Sequence, residues 1–246
     1  MTAIITSAPG KCILFGEHAV VYGHPAVAVA IDQRISIKIQ PSASGMWLLD
    51  GGKLNMKRNP HIKGLIEKLW PVDQGAPPLS IHIEGNIPRS SGLGSSAALS
   101  VALAAALRGA RGRWVTHAET VGQNRWAEGF GSGITASDAY GKSGGFFSTI
   151  EQDKMFLLTG EESVDTDENA ILAHSVEAAA QNGRASPIDS STCSHGGVIV
   201  ISNQVQNELT HLYKRSLKMP DSERFWHIHE LELSIVPDDI YLVIGN

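Results

Sequence analysis

The chain has 246 residues, 42% hydrophobic and 18% charged, enough to bury a sizeable core as one large domain or two small ones. Its net charge of -5 is dispersed, with no Lys/Arg cluster of the kind a nucleic-acid or anionic-membrane partner requires. Cys12 and Cys193 lie in no CxxC or Cys/His ligand spacing, so neither a disulfide framework nor a zinc site is supported. With no signal-like N-terminus and no apolar run long enough to cross a bilayer, a soluble cytoplasmic protein is expected.

In chain order, residues 3 to 7 are β-rich and Pro9-Gly10 breaks the pattern. The apolar run Cys12 to Phe15 follows, so this stretch predicts strand, turn, strand and then a loop at Gly16-Glu17-His18. Val20 to Ala30, Ile35 to Ile39, Trp47 to Leu49 and Leu79 to Ile83 read as further strands of an antiparallel-rich sheet. Between them Ile62, Leu65, Ile66 and Leu69 recur at helical spacing after Pro60. A glycine-serine stretch from Ser90 to Ser96 runs into Ala97 to Leu107, whose alanines and leucines favour helix. Residues 108 to 148 are rich in Gly, Arg and Ser, and helical character returns at 165 to 180 with Asp165 or Thr166 as cap. Val198 to Ile201 is a short strand, Glu208 to Leu217 a helix or loop, and Ile240 to Ile244 another strand.

Three clusters bear on chemistry. A Gly/Ser loop feeding a helix presents unpaired backbone N–H groups and the positive end of the helix dipole, which favours a phosphate. GLGSS matches neither GxxxxGK[ST] nor a GxGxxG fingerprint, and small residues at a helix start also serve plain close packing. Lys11, Glu17 and His18 are polar among apolar neighbours and suggest a site wall; a surface lysine and a solvated turn remain the alternative. Asp189, in Ala185-Ser186-Pro187-Ile188-Asp189, is placed to take a proton from an alcohol, or to serve as an Asx-turn or cap.

Taken in order, SAPGKCILFGEHAVVYGHPAVAVAID, IPRSSGLGSSAALSVALAAAL and GRASPIDSSTCSHGG resemble the successive motifs of the GHMP kinases. GEHAVVYG is similar to the mevalonate kinase branch of that family, and ASPID to its archaeal form. The resemblance implies an α+β fold of the ribosomal protein S5 domain 2-like type, a largely antiparallel sheet with helices on one side. It implies ATP and Mg2+ as cofactors and mevalonate as the small-molecule substrate, with nucleic acid and membrane not expected as partners and a homodimer left open. By motif position, Gly92, Leu93, Gly94, Ser95 and Ser96 match the cradle for the ATP phosphates. Ser96 and Glu177 match the magnesium ligands, Asp189 the catalytic base, Lys11 the catalytic lysine, and Glu17 and His18 the substrate side.

Asp138, in GFGSGITASDAYGKSGG, superficially repeats the third motif. Asp189 lies three residues after Ser186 and seven before Gly196, as in the family, whereas Asp138 precedes Gly144 by six, so Asp189 is preferred. The resemblance leaves residues 108 to 164 unmatched, as an insertion. It assigns 1 to 246 to the N-terminal ATP-binding and catalytic domain and predicts a further C-terminal domain with a second glycine-rich segment, of which the sequence holds no trace. The implied reaction is phosphorylation of the 5-hydroxyl of mevalonate. Another GHMP small-molecule kinase, such as one acting on phosphomevalonate, or a non-catalytic ATP-binding module, is the alternative.

Overall fold

The computed structural model describes residues 3–22, 24–70, 76–88, 90–120, 166–183, 185–218 and 223–233. Among these residues eight strands form one sheet: β1 (Ile4–Phe15), β2 (Ala26–Pro41), β3 (Leu48–Leu49), β4 (Gly52–Lys53), β5 (Leu79–Gly85), β6 (Val198–Ser202), β7 (Thr210–Lys218) and β8 (Glu223–Leu231). Four helices of the described residues accompany it: α1 (Pro60–Leu69), α2 (Ser95–Thr120), α3 (Thr166–Ala180) and α4 (Ile188–His195). The order is β4-β3-β5-β2-β6-β8-β7, with β1 against β2. Every pairing is antiparallel except β3 with β5, in keeping with the expected α+β class.

β2 organises the sheet. Its strict alternation buries Ile35, Ile37 and Ile39 on one face, and the strand pairs with β1 along most of its length. It also pairs with β5 through Ile35 to Pro41 and with β6 through Ala26 to Val29. α2 lies across β1 and β2 and is buried on nearly all sides from Ala97 to Ala110, because α1, α3 and α4 cover what the sheet does not. That environment explains its unbroken run of small and apolar residues. α1 faces this core with Ile62, Leu65, Ile66 and Leu69, the four positions its spacing predicts. A second, smaller core lies where α3 and α4 meet β6 to β8, around Ile188, Ile199, Ile201, Tyr213, Trp226 and Ile228.

Several expectations need correction. Pro9-Gly10 is not a turn: β1 runs straight through, and the pairing with β2 shifts register between Pro9 and Lys11. Proline has no N–H to give to a ladder, and a bulge is where a strand tolerates one. Val20–Tyr22 forms a single 3-10 turn, so the strand expected from Val20 starts only at Ala26. α2 continues past Leu107 to Thr120, because Arg108, although charged, is wholly buried and paired with Glu168 and Asn169 of α3. The stretch expected as helix or loop from 208 to 217 is strand β7 from Thr210 onward, its alternation hidden by a bulge between His211 and Tyr213. β8 went unforeseen because His227 and His229 interleave with the buried Trp226 and Ile228. Asp138, the Asp165 cap and the strand at 240 to 244 lie outside the described residues. Among those residues no helix is long and apolar enough to cross a membrane.

Candidate active site

The site is built where the bulge of β1 meets the loop before α2. The Lys11 N–H, freed from the ladder, donates to the Leu93 carbonyl at 3.0 Å and so joins the strand to the glycine-serine loop. That approach requires Gly10: a Cβ there would stand 2.8 Å from the Leu93 oxygen. Gly94, at φ +75, lies directly over the Lys11 stem, and a Cβ on it would meet Lys11 Cγ at 2.8 Å. Two glycines therefore press the loop onto β1 and leave Lys11 only 3% exposed, its amine directed at Asp189.

α2 begins immediately after this loop, its first intrahelical bond running from Ala98 N–H to the Gly94 carbonyl at 2.9 Å. The N–H groups of the preceding residues have no partner within the helix and are available to an anion. The adjoining cavity of about 390 Å³ is lined by Pro88, Ser90 through Ser96, Lys11, Glu17 and Asp189.

Two carboxylates converge on this region from the helices behind it. Asp189, in the first turn of α4, pairs with Lys11 Nζ at 3.0 Å and keeps a third of its side-chain surface open. Burial raises its pKa, with the neighbouring Lys11 charge and hydrogen bond opposing that rise. Glu177 of α3 accepts a hydrogen bond from Ser96 Oγ at 3.3 Å. Its pKa is pushed up to about 8, first by burial and then by the Asp189 charge, against weaker opposition from Ser96 and Lys11. Burial first, and then the neighbouring Asp189 and Glu177, raise the pKa of the Cys193 thiol and hold it protonated.

Of the sequence-derived site residues, Lys11, Glu17, Gly92, Leu93, Gly94, Ser95, Ser96 and Asp189 line one cavity, and Glu177 touches it through Ser96. His18 is exposed in the turn after β1 and is not among the lining residues. Missed by sequence reasoning are Pro88, Ser90 and Ser91, which extend the lining, and the buried His174 one turn before Glu177. Only the spacing of His174 from Glu177 on one helix could have signalled the last.

A cation fits beside Glu177. A carboxylate held in its neutral form by burial and a like charge, with a serine hydroxyl against it, is the environment that a hard divalent ion would relieve. Among the described residues no group of three or more His, Cys, Asp or Glu side chains is arranged to hold a metal. An ion here would therefore draw on Ser96, Glu177 and phosphate oxygens, as magnesium commonly does.

A glycine-serine loop before a helix, a buried lysine and an aspartate thus surround one cavity. Residues 60–141, a third of the chain, match the family model of the GHMP kinases N terminal domain. The chain is similar to mevalonate kinases. That of Methanothermobacter thermautotrophicus is 46% identical over 110 residues, covering 44% of this chain and 36% of that protein. The mevalonate kinase of Archaeoglobus fulgidus is 43% identical over 106 residues, 42% of this chain and 37% of that protein. The crystal structure of Methanococcus jannaschii mevalonate kinase superposes with a TM-score of 0.51 at 26% identity, over 82% of this chain and 54% of that one. The chain thus spans about a third of the length of these curated relatives.

Proposed function

We infer that the chain binds ATP with Mg2+ and transfers a phosphoryl group to the 5-hydroxyl of mevalonate. The observation that carries this reading is the convergence of Lys11, Asp189, Ser96 and Glu177 on the cavity beneath the glycine-serine loop. The loop N–H groups and the α2 dipole would hold the phosphates, with Ser96 and Glu177 holding the ion. Bound there, magnesium would offset phosphate charge. Asp189 accepts the proton of the attacking hydroxyl, and Lys11, at 3.0 Å, opposes the rise in pKa that burial imposes on that carboxyl. Glu17 lines the same cavity and is placed to face the acceptor; His18 serves the substrate side only if its turn closes inward. Positioning and charge, rather than covalent chemistry, then lower the barrier.

The similarity to mevalonate kinases favours mevalonate over other acceptors. A coupled ADP-release assay on the 246-residue chain with Mg-ATP decides, run with mevalonate and phosphomevalonate and with Asp189→Asn. The expected result is turnover with mevalonate, reduced by about 10³-fold in Asp189→Asn while ATP still binds. ATP binding without turnover of either acceptor would instead make this a nucleotide-binding module.

A further inference from the structure

The residues that hold the cavity's walls apart from the phosphate loop come from strands that contribute nothing to the cavity lining. Arg215 of β7 and Trp226 of β8 stand directly opposite each other across the strand pair. Arg215 Nε–H donates to His174 Nδ1 at 2.9 Å. A guanidinium can only donate, so Nδ1 must be the unprotonated ring nitrogen and the proton sits on Nε2. His174 Nε2–H therefore donates to the Ala185 carbonyl, 3.2 Å away and four residues before Asp189. Trp226 lies edge-on to the same imidazole, ring centroids 5.9 Å apart, and its indole N–H donates to the Val20 carbonyl at 2.9 Å. Val20 closes the turn that carries Glu17, its own N–H bonded to the Gly16 carbonyl. Two residues along β7 from Arg215, Tyr213 adds a third tie, its hydroxyl 2.8 Å from Ser191 Oγ on α4.

We propose that Arg215 and Trp226, joined through His174, are positioning residues that set the Asp189 wall and the Glu17 wall of the cavity in register with each other. His174 is wholly buried, so its two polar atoms have no water to fall back on, and losing either partner frees the segment it holds. The imidazole lies one helical turn from Glu177, which makes α3 the shared mount of the ion ligand and of the Ala185 anchor. The proposal deepens the phosphotransfer reading and rests on it for its kinetic arm alone.

The experiment compares the full chain with His174→Phe, His174→Gln and Trp226→Phe. Phenylalanine at 174 keeps a ring beside Trp226 but neither donates nor accepts, glutamine keeps a donor for Ala185, and Trp226→Phe deletes the indole N–H. Amide hydrogen exchange decides without any turnover. In His174→Phe, exchange across Ile188–Cys193 is expected to accelerate about tenfold or more while α2 from Ala97 to Ala106 keeps its rates, with His174→Gln close to wild type. Trp226→Phe is expected to accelerate Val20–Tyr22 in the same selective way. In the kinetic arm, His174→Phe lowers kcat about 10²-fold and leaves the KM for ATP within about twofold, because the phosphate loop is not moved. If the wild-type chain turns nothing over, the kinase reading fails and exchange alone judges the positioning role. Unchanged exchange at both segments, or acceleration spread evenly over the chain, overturns the proposal.

Discussion

The glycine-serine wall of the cavity is held by main chain and close packing, whereas the wall carrying Asp189 hangs on buried polar side chains. In the first, the Lys11 N–H to Leu93 carbonyl bond and the bare Cα atoms of Gly10 and Gly94 bring loop and strand together. In the second, Ser190, Ser191, Thr192 and His174 are all fully buried and bonded to carbonyls or to one another's elements. Ser191 Oγ and Thr192 Oγ1 bond back to Pro187 and Ile188, so α4 satisfies much of its polar content internally. The contrast teaches that one wall is sensitive to added volume and the other to lost donors and acceptors.

The strongest way to break the first wall is Gly94→Val. It combines left-handed strain with a clash on the Lys11 stem, and about 3 kcal/mol of stability is expected to go with it, measured by denaturant unfolding. Gly92→Ala is the control: it shares the positive φ but meets nothing within 4 Å, so only about 1 kcal/mol of strain is expected. Equal losses in the two variants would show that packing on Lys11 is not what holds the loop.

Next in size is the pH response of Glu177. In the folded chain its pKa is raised from 4.5 to about 8, so between those values the folded state holds a proton that the unfolded chain releases. Stability contributed by this group is therefore lost as pH rises through that window, by at most about 1.4 kcal/mol per pH unit. Thermal unfolding should show a downward slope that Glu177→Gln flattens. Magnesium with nucleotide, which favours the ionised carboxylate, should shrink the slope in the wild type. A slope untouched by Glu177→Gln assigns the response to another group.

Tyr213→Phe probes the second wall more gently. It removes the hydroxyl beside Ser191 and is expected to cost about 1 kcal/mol, since Ser191 keeps its bond to the Pro187 carbonyl. Smallest of all is Ser91→Ala: its hydroxyl bonds the Pro88 carbonyl at an exposed site, and about 0.5 kcal/mol or less is expected.

The first wall was legible in the amino-acid sequence because its devices are local: glycine and serine before an alanine-rich helix, lysine after Pro-Gly. α1 was legible for the same reason, its four buried positions being set by spacing within one turn and the next. The supports of the second wall were not, since His174, Tyr213, Arg215 and Trp226 acquire their roles only when α3, β7 and β8 meet. Their polarity reads as surface in one dimension, and the bulge in β7 removed the alternation that would have marked a strand. Arg108 was opaque in the same way, a charge whose partners Glu168 and Asn169 lie some sixty positions along the chain.

The register shift in β1 has a consequence for how such a chain can change over generations. Side chains in a strand alternate between faces, so a residue gained or lost between Pro9 and Phe15 would turn the segment over and carry Lys11 away from Asp189. Between Glu177 and Asp189 the opposite holds. Asn182 and Gly183, at φ 52 and 79, close the end of α3 in left-handed conformation, with Gly183 N–H bonded to the Ala178 carbonyl at 2.7 Å. That cap can take up a length change without turning either carboxylate. Homologous chains should therefore differ in length after α3 and in residue identity, never in length, across the bulge.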